Sequence, residues 1–227
     1  QNLVNGLQNF MRDFDKERGM LRTRMTDETA FELGKNVGAS PGKVIFRNRM
    51  FELLQYTPST KEVYKRPLLI MPPWINKFYI LDLQPKNSLI KWLVDQGHTV
   101  FIMSWVNPDE SMADTGFEDY MKEGTLTAID EVLKETGEKN LNIVGYCIGG
   151  TLLGATLAYM HAKKDKRVKA ATFFTALLDF SEPGDLGVFI DEKQLENLDK
   201  QMSEKGYLDG TEMASTFNML RSNDLIW

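Results

Sequence analysis

The most constraining feature of the sequence is the segment Gly-Tyr-Cys-Ile-Gly-Gly at 145–150, which contains the only cysteine of the 227 residues. The apolar run before it, 141–144, predicts a short buried strand, and the run after it, 151–158, predicts a helix. A nucleophile flanked by glycines, between a strand and a helix, is typical of the sharp turn called a nucleophile elbow. The chain approaches itself closely at such a turn, so Gly145, Gly149 and Gly150 are expected there for steric reasons.

The position of Cys147 favours a reactive thiol over a packed one. The residue would lie at the N-terminus of a helix, where the helix dipole and the free backbone amides favour the thiolate. The alternative is a buried structural cysteine, which is the usual environment of a free cysteine. The glycines on both sides and the strand–helix context favour the nucleophile.

A nucleophile of this kind needs hydrogen-bond donors for the negative charge that develops on the attacked carbonyl oxygen. One predicted donor is the backbone N–H of Ile148, the residue after the nucleophile. The second normally comes from the loop after an earlier strand, here 72–77, and the spacing favours the backbone N–H of Ile75. The sequence predicts no metal site and no cofactor.

The base that would activate Cys147 is not found among the two histidines of the chain. His98 precedes a predicted strand and so lies at the opposite edge of the sheet, roughly 20 Å away. His161 lies 14 residues along the helix, also roughly 20 Å away. Asp109 and Asp179 follow strands at the correct edge, but each is expected to be a turn residue. The catalytic Asp and His are therefore not found in this chain.

Composition and charge exclude several classes of protein. A formal net charge of −5 and a pI near 5.2 argue against nucleic acid as the main partner. A single cysteine excludes an intramolecular disulfide and fits a reducing compartment. No apolar run reaches the roughly 18 residues of a membrane-spanning helix, and no signal peptide is visible. The missing initiator methionine and the apolar end at Trp227 are expected of an excerpt from a longer protein.

The order of predicted elements indicates an α/β protein. The runs 44–46 and 51–56 predict a β-hairpin. Strands and helices then alternate, with strands predicted at 67–71, 99–104, 141–144 and 169–175 and helices at 87–96, 117–136 and 151–158. This alternation is typical of a parallel sheet wound with helices. An amphipathic helix is also predicted at the N-terminus, with an apolar face formed by Leu3, Leu7, Phe10, Met11 and Phe14.

Two predicted helices after the last strand differ in character from the core. The first, at 192–205, is charged and ends at Gly206, and the second covers 211–221. Their apolar faces are formed by Leu195, Leu198, Met202, Met213, Phe217 and Leu220. Two helices inserted after a sheet strand are typical of a cap or lid subdomain. The pattern alone equally allows two additional helices that belong to the core domain.

Several motifs together resemble polyhydroxyalkanoate synthases, which carry a cysteine in the lipase-like box where lipases carry a serine. The segment at 145–150 is similar to that box, and 72–83 resembles the oxyanion loop of the family. Five further segments are similar to family signatures in the same order, at 26–34, 96–101, 104–108, 177–180 and 221–227. The resemblance runs from about residue 20 to the end, and the single-chain class I type fits best.

The resemblance implies an α/β-hydrolase fold, that is, a parallel doubly wound sheet with the start of a helical cap subdomain. Residues 1–25 would be the end of an N-terminal helical region and 26–178 the N-terminal part of the α/β-hydrolase core. Residues 179–227 would be the start of the cap. The Asp and His of the family would lie beyond Trp227, so this chain by itself is expected to be inactive.

The resemblance also implies an acyltransferase that polymerises (R)-3-hydroxyacyl-CoA into polyhydroxyalkanoate. Cys147 would attack the thioester and release CoA, and a histidine would deprotonate a 3-hydroxyl that attacks the acyl-enzyme. The CoA thioester is then a substrate, and the growing polyester chain is the other partner. A homodimer, a cytoplasmic location and association with polyester granules and granule-associated proteins are implied by the resemblance only.

Two other functions stay open at this point. A thioesterase or a polyester depolymerase of the same fold would also use Cys147 as its nucleophile, with water as the acceptor. A non-catalytic partner subunit that binds through the cap helices would keep the elbow without a base. The elbow motif does not distinguish these functions from the polymerase.

Overall fold

The computed structural model describes residues 1–15, 20–21, 27–184, 187, 190–208, 210 and 214. The chain divides into two compact units. The first consists of Gln1–Glu32 with Gly210–Trp227, and the second consists of Leu33–Asp209.

In the first unit, helix α1 (Asn2–Asp13) precedes two short antiparallel strands, β1 (Phe14–Asp15) and β2 (Met20–Leu21). The helix predicted at the N-terminus is thereby confirmed. None of the helices in the described ranges is both long enough and apolar enough to cross a membrane.

The second unit is built around a sheet of six strands in the order β10-β9-β5-β8-β4-β3. In chain order, the strands of this unit are β3 (Gly42–Arg47), β4 (Phe51–Tyr56), β5 (Leu68–Met71), β6 (Asp82–Gln84), β7 (Asn87–Ser88), β8 (Val100–Trp105), β9 (Leu141–Tyr146) and β10 (Val168–Phe174). Strands β8, β5, β9 and β10 run parallel, whereas β3 and β4 form an antiparallel hairpin beside β8. The predicted hairpin and the predicted parallel sheet are both confirmed.

Helix α2 (Leu89–Asp95) precedes β8 and begins two residues later than the sequence predicted. Asn87 and Ser88 were expected to be helical, but they pair with β6 as strand β7. The Oγ of Ser88 accepts a hydrogen bond from the backbone N–H of Lys91 at 2.8 Å, which caps the helix. The cap thus fixes where the helix begins.

The helical stretch predicted at 117–136 is confirmed, but it is not uniform. It consists of α3 (Phe117–Asp119), a π-helical segment (Tyr120–Leu126) and α4 (Thr127–Thr136). Gly137 ends the stretch in the left-handed region with a φ of 69°. A periodicity near 3.6 residues identifies a helix but does not reveal a wider π turn inside it.

The core of the second unit lies on both faces of the sheet. Side chains alternate along β8, so Phe101 belongs to one buried cluster and Ile102 to another. The first cluster also contains residues of α4 and α5 (Ile148–Ala162), and the second contains residues of α2. Burial on both faces explains why the central strands read as continuous apolar runs.

Helix α6 (Glu192–Lys205) has the bounds that the sequence predicted. Gly206 ends it with a φ of 83°, and a Cβ on this glycine would lie 2.8 Å from the Cβ of Ala113. The helix therefore ends against the loop that follows β8. The second helix predicted at 211–221 lies outside the described residues except for residue 214. The cap subdomain and the domain boundaries accordingly stay predictions.

Candidate active site

Cys147 lies in a strained turn between β9 and helix α5. Its φ of 55° and ψ of −128° place the residue outside the backbone regions that side chains ordinarily favour. Its backbone N–H donates to the carbonyl of Phe174 at 2.9 Å, and its carbonyl accepts from Gly150 at 2.8 Å. The strand, sharp turn and helix predicted around the cysteine are confirmed, and the thiol-bearing residue is half-buried.

The three glycines of the elbow are required by close contacts. A Cβ on Gly145 would lie 2.6 Å from the Cα of Gly150, and one on Gly150 would overlap the Cβ of Ala176. A Cβ on Gly149 would lie 2.6 Å from the carbonyl oxygen of Met71 and 2.8 Å from that of Pro72. Contact distances this short are not tolerated, so no larger residue fits without displacing the backbone.

The amide of Ile148 stands beside the nucleophile. Ile148 is the first residue of α5, so its N–H has no carbonyl partner within the helix. A free N–H next to a nucleophile is the arrangement that stabilises an oxyanion in acyl transfer. The geometry therefore supports the predicted role of this amide, which stays a prediction.

The loop at 72–77 begins beside the elbow. Strand β5 pairs with β9 in a register that sets Met71 opposite Gly145, so the loop starts where the elbow starts. The N–H of Asn76 donates to the carbonyl of Pro73 at 3.2 Å, which closes a turn around Ile75. The contact of Gly149 with the Pro72 carbonyl brings this loop to the elbow. The role of the Ile75 amide as the second oxyanion donor stays a prediction.

Sequence reasoning missed an aromatic cluster beneath this loop. The Nε1 of Trp105 donates a buried hydrogen bond of 2.8 Å to the carbonyl of Pro72. Trp74 and Tyr120 pack on Trp105, with ring centroids 6.3 and 5.3 Å from that of Trp105. Burial raises the pKa of Tyr120. The signal in the sequence was a tryptophan at the end of β8 and another within the loop after β5.

The structure places both histidines away from Cys147. His98 packs on Tyr64 with ring centroids 5.0 Å apart and precedes the start of β8. The strand registers set Val100 level with Asn142, and Cys147 lies five residues beyond Asn142 along the parallel strands. The seven residues of separation, at ~3.3 Å each, put His98 roughly 23 Å from the thiol along the strands. His161 lies in the last turn of α5, at the end opposite Cys147.

Asp109 and Asp179 are turn residues, as predicted. Asp109 accepts hydrogen bonds from the backbone N–H and the Oγ of Ser111 at 2.9 and 2.6 Å. Asp179 accepts from the backbone N–H of Ser181 at 3.0 Å. These bonds lower the pKa of both carboxyl groups, whereas a general base for a thiol needs a pKa raised toward the operating pH. Within the described part of the chain, no His, Cys, Asp and Glu side chains cluster as metal ligands would.

The sequence matches two family models that fit this architecture. Residues 67–219 match the model of the alpha/beta hydrolase fold, and residues 1–93 match the model described as the poly-beta-hydroxybutyrate polymerase (PhaC) N-terminus. The chain therefore belongs to the α/β-hydrolase family, and the predicted fold class is confirmed. A solved alpha/beta hydrolase from a metagenome of Mar Chica lagoon sediments in Morocco aligns with 15% identity and a TM-score of 0.42, over 65% of this chain and 57% of that one.

Within this family, the chain is similar to polymerases of polyhydroxyalkanoates. It is 56% identical over 226 residues to the poly(3-hydroxyalkanoate) polymerase of Methylorubrum extorquens, covering 100% of this chain and 37% of that protein. It is 54% identical over 226 residues to the poly(3-hydroxyalkanoate) polymerase subunit PhaC of Rhizobium meliloti, with the same two coverages. The resemblance to polyhydroxyalkanoate synthases is confirmed. The chain spans 37% of the length of these two relatives.

Proposed function

We propose that the protein containing this chain is an acyltransferase that polymerises (R)-3-hydroxyacyl-CoA into polyhydroxyalkanoate through a thioester on Cys147. The observation that carries the proposal is the elbow itself. A lone cysteine stands in a strained turn at the N-terminus of α5, with the unpartnered amide of Ile148 beside it. The names of the two relatives support the choice of substrate class.

In the first half-reaction, the Cys147 thiolate attacks the thioester carbonyl of the acyl-CoA. A carbon–sulfur bond forms to Cys147 and the bond to the CoA sulfur breaks. The proton that a base has taken from the Cys147 thiol passes to the CoA sulfur, so CoA leaves as its free thiol. The negative charge of the tetrahedral intermediate lies on the former carbonyl oxygen. The backbone N–H groups of Ile148 and Ile75 would donate hydrogen bonds to that oxygen.

In the second half-reaction, the 3-hydroxyl of the growing chain or of the next monomer attacks the acyl-enzyme. An oxoester forms, the bond to Cys147 breaks, and the hydroxyl proton returns to the thiol through a histidine. That histidine lies outside these 227 residues, because His98 and His161 are each roughly 20 Å from the thiol. The acyl group stays activated until this step because exchange between two thioesters is nearly isoenergetic. A serine ester would lose that driving force.

The proposal also names partners and surroundings. The substrates are the acyl-CoA and the end of the polyester, and no separate cofactor takes part. Assembly as a homodimer at cytoplasmic polyester granules, together with granule-associated proteins, rests on the resemblance alone.

The test is to supply the full-length protein with (R)-3-hydroxybutyryl-CoA and measure both free CoA and insoluble polyester. We expect CoA release with matching polymer formation, and neither in the Cys147→Ala variant, which should fold normally. An Asp179→Asn variant is the control, since this carboxylate only caps an exposed turn, and it should keep full activity.

Other outcomes would contradict the proposal in distinct ways. CoA release with soluble 3-hydroxy acid instead of polymer would identify a thioesterase or depolymerase of the same fold. A protein that releases no CoA under any condition would be a partner subunit. Turnover retained after Cys147→Ala would remove the covalent mechanism.

A further inference from the structure

The side chain of Trp105 fixes one end of the loop at 72–77. Trp105 is the last residue of β8 and is only 8% exposed. Its indole N–H donates to the carbonyl of Pro72 at 2.8 Å, in a buried position. A buried acceptor that loses its donor is left unsatisfied, so this bond holds the start of the loop more firmly than a surface bond would.

The Pro72 carbonyl is also the point at which the loop meets the elbow. A Cβ on Gly149 would lie only 2.8 Å from this oxygen, so the first turn of α5 and the Pro72 carbonyl are in close contact. Trp105 and the first turn of α5 therefore both meet the loop at the Pro72 carbonyl. Any shift of Pro72 changes the separation between the elbow and Ile75, three residues further along the loop.

The ring of Trp105 is itself held by its neighbours. A Cβ on Gly124 would lie 2.5 Å from Cη2 and 2.7 Å from Cζ3 of the indole, so only glycine leaves room for the ring. Gly124 belongs to the π-helical segment Tyr120–Leu126, and the ring of Tyr120 packs against both Trp74 and Trp105 at centroid distances of 4.7 and 5.3 Å. π turns inside α-helices occur frequently at functional sites.

We infer that Trp105 is a positioning residue for acyl transfer: the benzo edge of its indole lies against Gly124, and its N–H holds the Pro72 carbonyl and so sets the Ile75 amide opposite Cys147. The inference rests on the function proposed above and adds a residue that contacts neither the substrate nor the thiol. It predicts a defect in steps that develop charge on a carbonyl oxygen and none in other reactions of the thiol.

The experiment compares two reactions of Cys147 in the full-length protein. One is the first-turnover release of CoA from (R)-3-hydroxybutyryl-CoA, which needs the oxyanion donors. The other is alkylation by iodoacetamide, which reports the thiol and its access but forms no oxyanion. In Trp105→Phe, we expect CoA release to slow by about 10- to 100-fold with little change in KM. Alkylation should stay close to that of the parent protein, whereas the thermal unfolding midpoint should fall by a few degrees because a buried carbonyl loses its donor.

Matched variants separate the lost hydrogen bond from altered packing. Trp92→Phe removes an indole N–H from a side chain that is 56% exposed on α2, and it should leave both reactions unchanged. Gly124→Ala, which displaces the indole, should reproduce the Trp105→Phe defect. Gly116→Ala should not, because its Cβ would meet only Asp119, at 3.9 Å.

Two results would overturn the inference. One is CoA release in Trp105→Phe within about twofold of the parent. The other is a parallel fall in both reactions, which would mean that Trp105 supports the elbow and not the loop. If Trp105→Phe does not fold, replacement of Trp105 by 3-benzothienylalanine keeps the ring size and removes only the N–H, and the same two rates decide. Loss of activity in Cys147→Ala tests the proposed function separately.

Discussion

The two edges of the parallel strands are held together by different means. At the carboxyl edge, backbone closely approaches backbone: a Cβ on Gly149 would lie 2.6 and 2.8 Å from the carbonyl oxygens of Met71 and Pro72. Cys147 and Thr175 there have φ values of 55° and 44°. Such contacts leave no room for a side chain and fix the backbone within a fraction of an ångström.

At the amino edge, backbone hydrogen bonds such as that from Asn142 to Pro67 are joined by contacts between long side chains. The Nε of Arg66 donates to Asn140 at 2.6 Å, between the segments that precede β5 and β9. Arg167, just before β10, binds Asp165 at 2.7 Å and also pairs with Asp130. These groups are partly exposed, so each contributes modestly to stability. The closest approaches of backbone to backbone therefore lie at the edge where chemistry is expected, whereas partly exposed ion pairs lie at the other edge.

The largest effect is expected from Cys147→Ser in the full-length protein. The geometry of the elbow is kept, but a serine alkoxide is far harder to generate than a thiolate, so CoA release should fall by about 10³-fold or more. Measurement of CoA release beside a circular dichroism spectrum tests this. Substantial CoA release by the Cys147→Ser variant would show that acyl transfer at the carboxyl edge does not require a thiol.

The second-largest effect is expected from Gly149→Ala. The added Cβ would meet two backbone carbonyls, which cannot rotate aside as side chains do. We expect a loss of about 1–3 kcal/mol in the free energy of unfolding and at least a tenfold slower CoA release. Gly116→Ala, with open space around its Cβ, is the control and should change neither quantity. A fully active and stable Gly149→Ala protein would contradict the rigidity described for this edge.

A smaller, pH-dependent effect is expected from Arg167→Met at the amino edge. The hydrogen bond from Arg167 lowers the pKa of Asp165, so their interaction stabilises the folded state above the ordinary carboxyl pKa of about 3.9 and fades as pH falls through the lower folded value. The variant should lose about 1 kcal/mol of unfolding free energy at neutral pH and approach the parent in acid. Urea unfolding at pH 7 and pH 3 measures the difference.

The matched control for this prediction is Lys65→Met, whose ion pair with Glu138 is 3.8 Å long and whose side chain is 84% exposed. Its unfolding free energy should not change at either pH. A difference between parent and Arg167→Met that grows on acidification would reverse the sign and refute the assignment to Asp165.

The smallest effect is expected from His98→Gln. His98 lies at the amino edge against Tyr64, so the rate of CoA release should be unchanged and only stability could fall. A selective loss of rate in a normally folded His98→Gln protein would show that the two edges are not functionally separate.

Much of the fold was predictable because local patterns and burial agree. The apolar runs of β5, β8 and β9 are buried on both faces, and Gly206 closes α6 where its pattern ends. The start of α2 was misplaced because pairing of Asn87 and Ser88 with β6 overrides their place in a helical pattern. The π turns at Tyr120–Leu126 were missed because an apolar periodicity near 3.6 residues does not reveal a wider turn inside a helix.

For the candidate site, the sequence by itself determined the elbow. Glycine spacing around one cysteine, between an apolar strand and a helix, is a local signal that needs no distant partner. The tertiary structure decided which backbone that elbow touches, and therefore why Gly149 faces Pro72 and why Trp105 holds the loop. These contacts join residues distant in sequence, and their geometry depends on how strands align, which no local pattern specifies.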